Sequence, residues 1–137
     1  MTYLLDTSAL LLHFRQEPGA EQVQHLFDDE DAVLLIASLS LPEMARRLRD
    51  LGSSPPDARR VVVDYQGIFA EVVPVDATIA LSSFDLSVQL PERLPLVDAL
   101  IAAAASSRQA CLVHRDKHLR TIPSTILPQL DLGSPSP

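Results

Sequence analysis

Short apolar runs alternate along the whole chain with longer segments of helical period, and this alternation constrains the fold more than any other feature. Tyr3-Leu4-Leu5, Ala32 to Ala37, Val72-Val73, Cys111 to Val113 and Thr125 to Leu127 read as short strands buried on both faces. Between them lie helices: Thr7 to Phe14, Pro18 to Phe27, Ser40 to Leu51, Pro55 to about Phe69, Asp76 to about Leu90, and Asp98 to Arg108. Their starts carry Ser40, Asp76 and Asp98 as capping residues and Pro18, Pro42 and Pro55 in first turns. The alternation predicts an α/β fold with a central, mostly parallel sheet of four to five strands and helices on both faces. Right-handed crossovers then gather the strand C-terminal ends on one edge, where open α/β sheets bind ligands. At 137 residues, one domain over 1–132 is expected, with 133–137 as a flexible tail.

Composition narrows the function classes. Against 11 Lys plus Arg stand 18 Asp plus Glu, a net charge of -7 that excludes a general nucleic-acid coat protein acting by phosphate neutralisation. The start has no basic n-region, and Asp6 interrupts its apolar stretch, so no secretory signal is read there. The uncharged run Ala99 to Ser107 is far below the ~18 to 20 residues of a membrane span, so no membrane role is expected. The single cysteine, Cys111, lies in an apolar run and reads as a small core residue, which fits a reducing, cytoplasmic setting.

Four acids fall at element boundaries on that sheet edge. Asp6 follows the first strand directly, Glu43 lies in the first turn after the second, Asp98 heads the Ala-rich helix, and Asp116 follows the fourth strand. Each has a purely structural role open to it. Asp6 and Asp98 can cap helices, Ser40 and Glu43 match the Ser-x-x-Glu capping box, and Asp116 can sit in a solvated turn. Together, separated by 37, 55 and 18 positions, they would raise one another's pKa unless a cation sits between them. Oxygen-only ligands suit Mg²⁺ or Mn²⁺ rather than zinc. Phosphodiester hydrolysis is the chemistry that most needs such a site, because the metal activates water and neutralises the scissile phosphate. A metal also makes an acidic pocket attractive to a phosphate.

Taken in order, Leu5-Asp6-Thr7-Ser8-Ala9-Leu10, Pro42-Glu43, Asp98 to Ala104 and Arg115-Asp116-Lys117-His118-Leu119 make the chain resemble the PIN domain over Tyr3 to about Leu130. Within that family it is most similar to VapC-type toxins of type II toxin–antitoxin pairs. The resemblance implies a PIN-like fold and a Mg²⁺-dependent (or Mn²⁺-dependent) endoribonuclease leaving 3′-hydroxyl and 5′-phosphate ends. Its catalytic and metal-binding residues would be Asp6, Glu43, Asp98 and Asp116, with Ser8 hydrogen-bonding the site. It also implies a VapB-like antitoxin and a homodimer. One departure stands out: many members carry Thr or Ser two residues before the fourth acid, and this chain has His114. Neither His114 nor His118 is read as a general base, and His13 and His25 are expected on the surface or facing a partner. Arg115 and Lys117, beside Asp116, are the candidate RNA contacts. The helical cluster Arg46-Arg47-Leu48-Arg49 is read as a solvated face. Leu10, Leu11, Leu12 and Phe14 are either core or an antitoxin groove. Two other functions are compatible with the acids: a PIN-type nuclease in RNA maturation, and a non-catalytic PIN-fold binding module.

Overall fold

A computed structural model describes residues 1–133; of the tail expected at 133–137, only Gly133 falls within the described residues. The elements are β1 (Thr2–Leu5), α1 (Thr7–Phe14), α2 (Ala20–Asp28), β2 (Val33–Ala37), α3 (Ser40–Asp50), α4 (Pro55–Gln66), β3 (Glu71–Val73), α5 (Ala77–Val88), α6 (Leu96–Ser107), β4 (Cys111–His114) and β5 (Gln129–Asp131), with a 3-10 turn at Leu119–Thr121. The strands form one sheet in the order β3-β2-β1-β4-β5, and every pair is parallel.

Strict alternation along the strands explains why helices cover both faces. Leu4, Leu35 and Leu112 point into one core with Ile79 and Leu86 of α5 and the Ala102–Ala105 stretch of α6. Their neighbours Leu5, Ile36 and Val113 point into the other, with Leu10, Val23, Met44, Leu48 and Val62 from α1 to α4. The alanines keep α6 slim enough to pack tightly on the sheet. Each fully buried Leu or Ile contributes about 1.5–3 kcal/mol, so neither layer can be stripped without losing the fold. Leu10, Leu11 and Leu12 lie in this core, leaving only Phe14 of that group exposed. The apolar patch is therefore packing rather than a groove.

Several element ends and caps differ from the sequence reading, the following for a local reason. The last strand is β5, not Thr125 to Leu127, because the Ile126 and Leu127 N–H groups turn back to the Pro123 carbonyl. α2 starts at Ala20 rather than Pro18, since Gly19 takes a left-handed φ of 104° just before it. Ser40 does not cap α3: the chain is already helical at Leu39, whose carbonyl takes the Glu43 N–H that a Ser40 cap would need. α6 likewise begins at Leu96, with the Pro95 carbonyl accepting the Ala99 N–H, so Asp98 sits within the first turn and does not cap it.

The sheet order reverses between β1 and β4. β1 leads to β2 and β3 on one side, and the chain then returns through α5 and α6 to place β4 on the other. Loops leaving β1 and β4 diverge there, which opens a crevice at their C-terminal ends.

Candidate active site

That crevice is a cavity of about 300 Å³, and Asp6, Glu43, Asp98 and Asp116 all line it, with Thr7, Ser8, Leu11, Arg15, Glu17, Arg47, Leu51 and Arg115. Asp6 leaves β1 with its N–H bonded to the Val113 carbonyl of β4 at 3.0 Å, and so is fixed at the reversal point. It caps α1 as well: its Oδ1 accepts from the Ala9 N–H at 3.1 Å and from the Ser8 hydroxyl at 2.6 Å. The Ser8 oxygen in turn accepts the Arg115 N–H at 2.8 Å, which stitches the β1 exit to the β4 exit. Asp116 Oδ1 accepts from the His118 and Leu119 N–H groups at 2.7 and 3.1 Å, starting the 3-10 turn. Thus Asp6 caps a helix and Asp116 braces the turn ahead of the 3-10 segment, while Glu43 and Asp98 cap nothing.

The electrostatics follow from burial. Asp6 is only 3 % exposed. Burial, reinforced by the charges of Asp116 and Asp98, pushes its carboxyl up to about 7 against the pull of the Ser8 and Ala9 hydrogen bonds. Burial also raises Asp98 to about 6, with Asp116 and Glu43 adding to the shift and His118 opposing it. Carboxylates this frustrated are what a hard cation relieves, and the donors are oxygens throughout. A further oxygen, the buried Thr7 Oγ1 in the cavity wall, has no hydrogen-bond partner in the described residues. In chemistry and burial the residues fit a divalent cation. Among the described residues, though, no three His, Cys, Asp or Glu side chains are gathered tightly enough to enclose one.

Of the candidate RNA contacts, Arg115 lines the cavity and is paired with Glu17 at 3.1 Å, whereas exposed Lys117 lies outside it. Arg15 and Arg47 line it too, and sequence reasoning missed both as site residues. The signal was the helical step: Thr7 and Leu11 on α1 with Arg15 at its C-cap, and Glu43 and Arg47 on α3 with Leu51 at its C-cap, recur every four residues and so share a face. His114 is not in a loop but closes β4, fully buried and hydrogen-bonded. His13 is half-buried between Tyr65 and Gln24, while His25 is exposed. A larger cavity of about 570 Å³ lies between α3 and α4, has no acid in its lining and is apolar apart from Arg46, Arg49, Arg59 and Gln66.

The PIN domain family model matches residues 3–124. Among solved structures, VapBC2 from Rickettsia felis, bound to a DNA fragment from its promoter, is similar with a TM-score of 0.76 at 19% identity, covering 96% of this chain and 98% of that one. VapBC-1 from nontypeable Haemophilus influenzae gives a TM-score of 0.75 at 20% identity, over 98% and 100% of the two chains. Mycobacterium tuberculosis VapC20, described as a Sarcin-Ricin loop cleaving toxin, gives 0.64 at 16% identity, over 88% and 93%. No curated protein matches the sequence.

Proposed function

The chain belongs to the PIN-domain family, and from that membership we propose that it is the toxin of a type II toxin–antitoxin pair, a Mg²⁺- or Mn²⁺-dependent endoribonuclease. The observation that carries this reading is the convergence of Asp6, Glu43, Asp98 and Asp116 on one cavity at the reversal of the sheet. Those four carboxylates would hold the cation, which supplies Lewis acidity and positive charge at the scissile phosphate. Arg15, Arg47 and Arg115 on the cavity wall bind and orient the flanking phosphates, so local positive charge offsets a net charge of -7. Ser8 holds the Asp6 carboxylate in place and ties it to the loop that carries Asp116.

Solved relatives are VapBC complexes, which supports a VapB-like antitoxin as partner. The α3–α4 groove suits such a partner: its apolar floor of Leu41, Ala58 and Val62 would take an amphipathic segment, and its arginines would pair with acids flanking it. A homodimer is part of the same reading. The surface offered for it is the stripe of Leu81, Phe84 and Val88 on α5, 70, 68 and 69 % exposed at helical spacing. Among the described residues no helix is long and apolar enough to cross a membrane.

The test is cleavage of a mixed RNA pool by partner-free protein with Mg²⁺ or Mn²⁺ against EDTA, beside Asp98→Asn. Cleavage that needs the metal, vanishes in the folded variant and leaves 5′-phosphate ends is the expected result. Failure of the purified protein to bind either metal would sink the reading.

A further inference from the structure

His114 ends β4 fully buried beside the acid cavity without lining it, and its hydrogen bonds leave it one chemical form. Two backbone groups of fixed polarity close the chain of bonds that passes through it. At one end the Asp116 N–H donates to His114 Nδ1 at 3.0 Å, so Nδ1 is a bare acceptor. At the other the Ile122 carbonyl can only accept, and Gln129 gives it an amide N–H at 2.6 Å. That fixes the Gln129 amide with its Oε1 toward His114 Nε2, 2.6 Å away, and Nε2 must carry the hydrogen. Each hydrogen of this chain of bonds then has one place.

The residue at the receiving end is the fourth acid. Its N–H is taken by His114 and its Oδ1 by the His118 and Leu119 N–H groups, which leaves Oδ2 without a hydrogen-bond partner among the described residues. Resting on the nuclease reading of the cavity, we propose that His114 is a positioning residue for Asp116: an imidazole held between β4 and β5, with Nε2 on Gln129 and Nδ1 accepting the Asp116 N–H, that fixes the backbone from which Asp116 lines the cavity. The bond to Gln129 runs across the β4–β5 pair, so the last strand of the sheet also helps set the site.

The test compares the whole chain with His114→Asn and His114→Leu. Asn keeps an acceptor where Nδ1 stands but cannot span to Gln129, and Leu keeps neither. Long-range ¹H–¹⁵N spectra of the unaltered chain are expected to show protonated Nε2 and bare Nδ1. Amide exchange at Asp116, His118 and Leu119 is expected to rise about tenfold in His114→Leu and little in His114→Asn, with Mn²⁺ affinity falling about tenfold in the Leu variant alone. A merely structural histidine would move both variants together with global stability. A hydrogen on Nδ1 in the unaltered chain, or equal behaviour of the two variants, overturns the assignment. If the unaltered chain binds no Mn²⁺, the nuclease reading falls, yet the tautomer and the exchange rates still decide the role of His114. Should His114→Leu fail to fold, Gln129→Ala at a half-buried position releases Nε2 instead. About threefold faster exchange at Asp116 is then expected, and unchanged exchange refutes the proposal.

Discussion

At Asp6 two demands meet on one carboxylate: it caps α1, which favours the charged form, and it is buried beside other acids, which opposes it. Burial wins, and the folded chain holds the Asp6 proton far more tightly than the unfolded chain, with a pKa of about 7 against 3.8. The stabilisation this gives is complete below the unfolded value and is lost as pH rises through about 7. Asp98, raised to about 6, acts in the same direction. Metal-free protein is therefore expected to lose stability between about pH 4 and about pH 8, and saturating Mg²⁺ should restore it. Asp6→Asn keeps an oxygen to accept from Ser8 and Ala9 and removes the charge. In EDTA at about pH 8 it should be more stable than the unaltered chain, on the order of 2 kcal/mol, and lie close to it at about pH 4. Urea unfolding at both pH values checks this; an equal gain at both would assign the effect to packing.

The helices α1 and α3 each carry an acid at or near their start and an arginine on the same face, Arg15 at the C-cap of α1 and Arg47 within α3. Arg15 and Arg47 carry no ion pair with an acid among the described residues, unlike Arg115, and are free to meet phosphate. On an Asp98→Asn background, which on the proposed reading should bind without cutting, Arg15→Ala and Arg47→Ala should each weaken RNA binding and flatten the dependence of log K on log salt by about 0.7 per lost contact. Fluorescence anisotropy across a salt series measures both; an unchanged slope would remove that arginine from the interface. Much of this was legible beforehand. Strands buried on both faces announce themselves as apolar runs, so the parallel sheet and the edge that gathers the four acids follow from the sequence. What was not legible depends on backbone already committed upstream. Ser40 and Asp98 look like caps until Leu39 and Pro95 are seen to start their helices first. β5 hides because its three residues carry one apolar side chain, Leu130, and its place is set by pairing with β4. Arg47 was hidden within a basic cluster, and only its four-residue step from Glu43 separates it from Arg46 and Arg49.

At the scale of the whole molecule, the α5 stripe is an apolar surface that no element among the described residues covers, with Leu96 close by in sequence at the start of α6. Phe84→Glu places a charge in the middle of that stripe at little cost to the monomer, within about 0.5 kcal/mol for an exposed position. Sedimentation equilibrium at micromolar concentration should give a dimer for the unaltered chain and a monomer for the variant. A dimer that survives the substitution would move the interface elsewhere. The reversal of the sheet has a consequence of another kind. β1 precedes the other strands in the sequence, yet it lies at the centre and needs β4, the fourth strand in the sequence, on its far side before the Asp6 N–H finds the Val113 carbonyl. During synthesis the first three strands can gather while the chain still lacks Asp98 and Asp116. A chain that stops before α6 therefore lacks two of the four acids, Asp98 and Asp116, and on the nuclease reading proposed above it would not cut RNA.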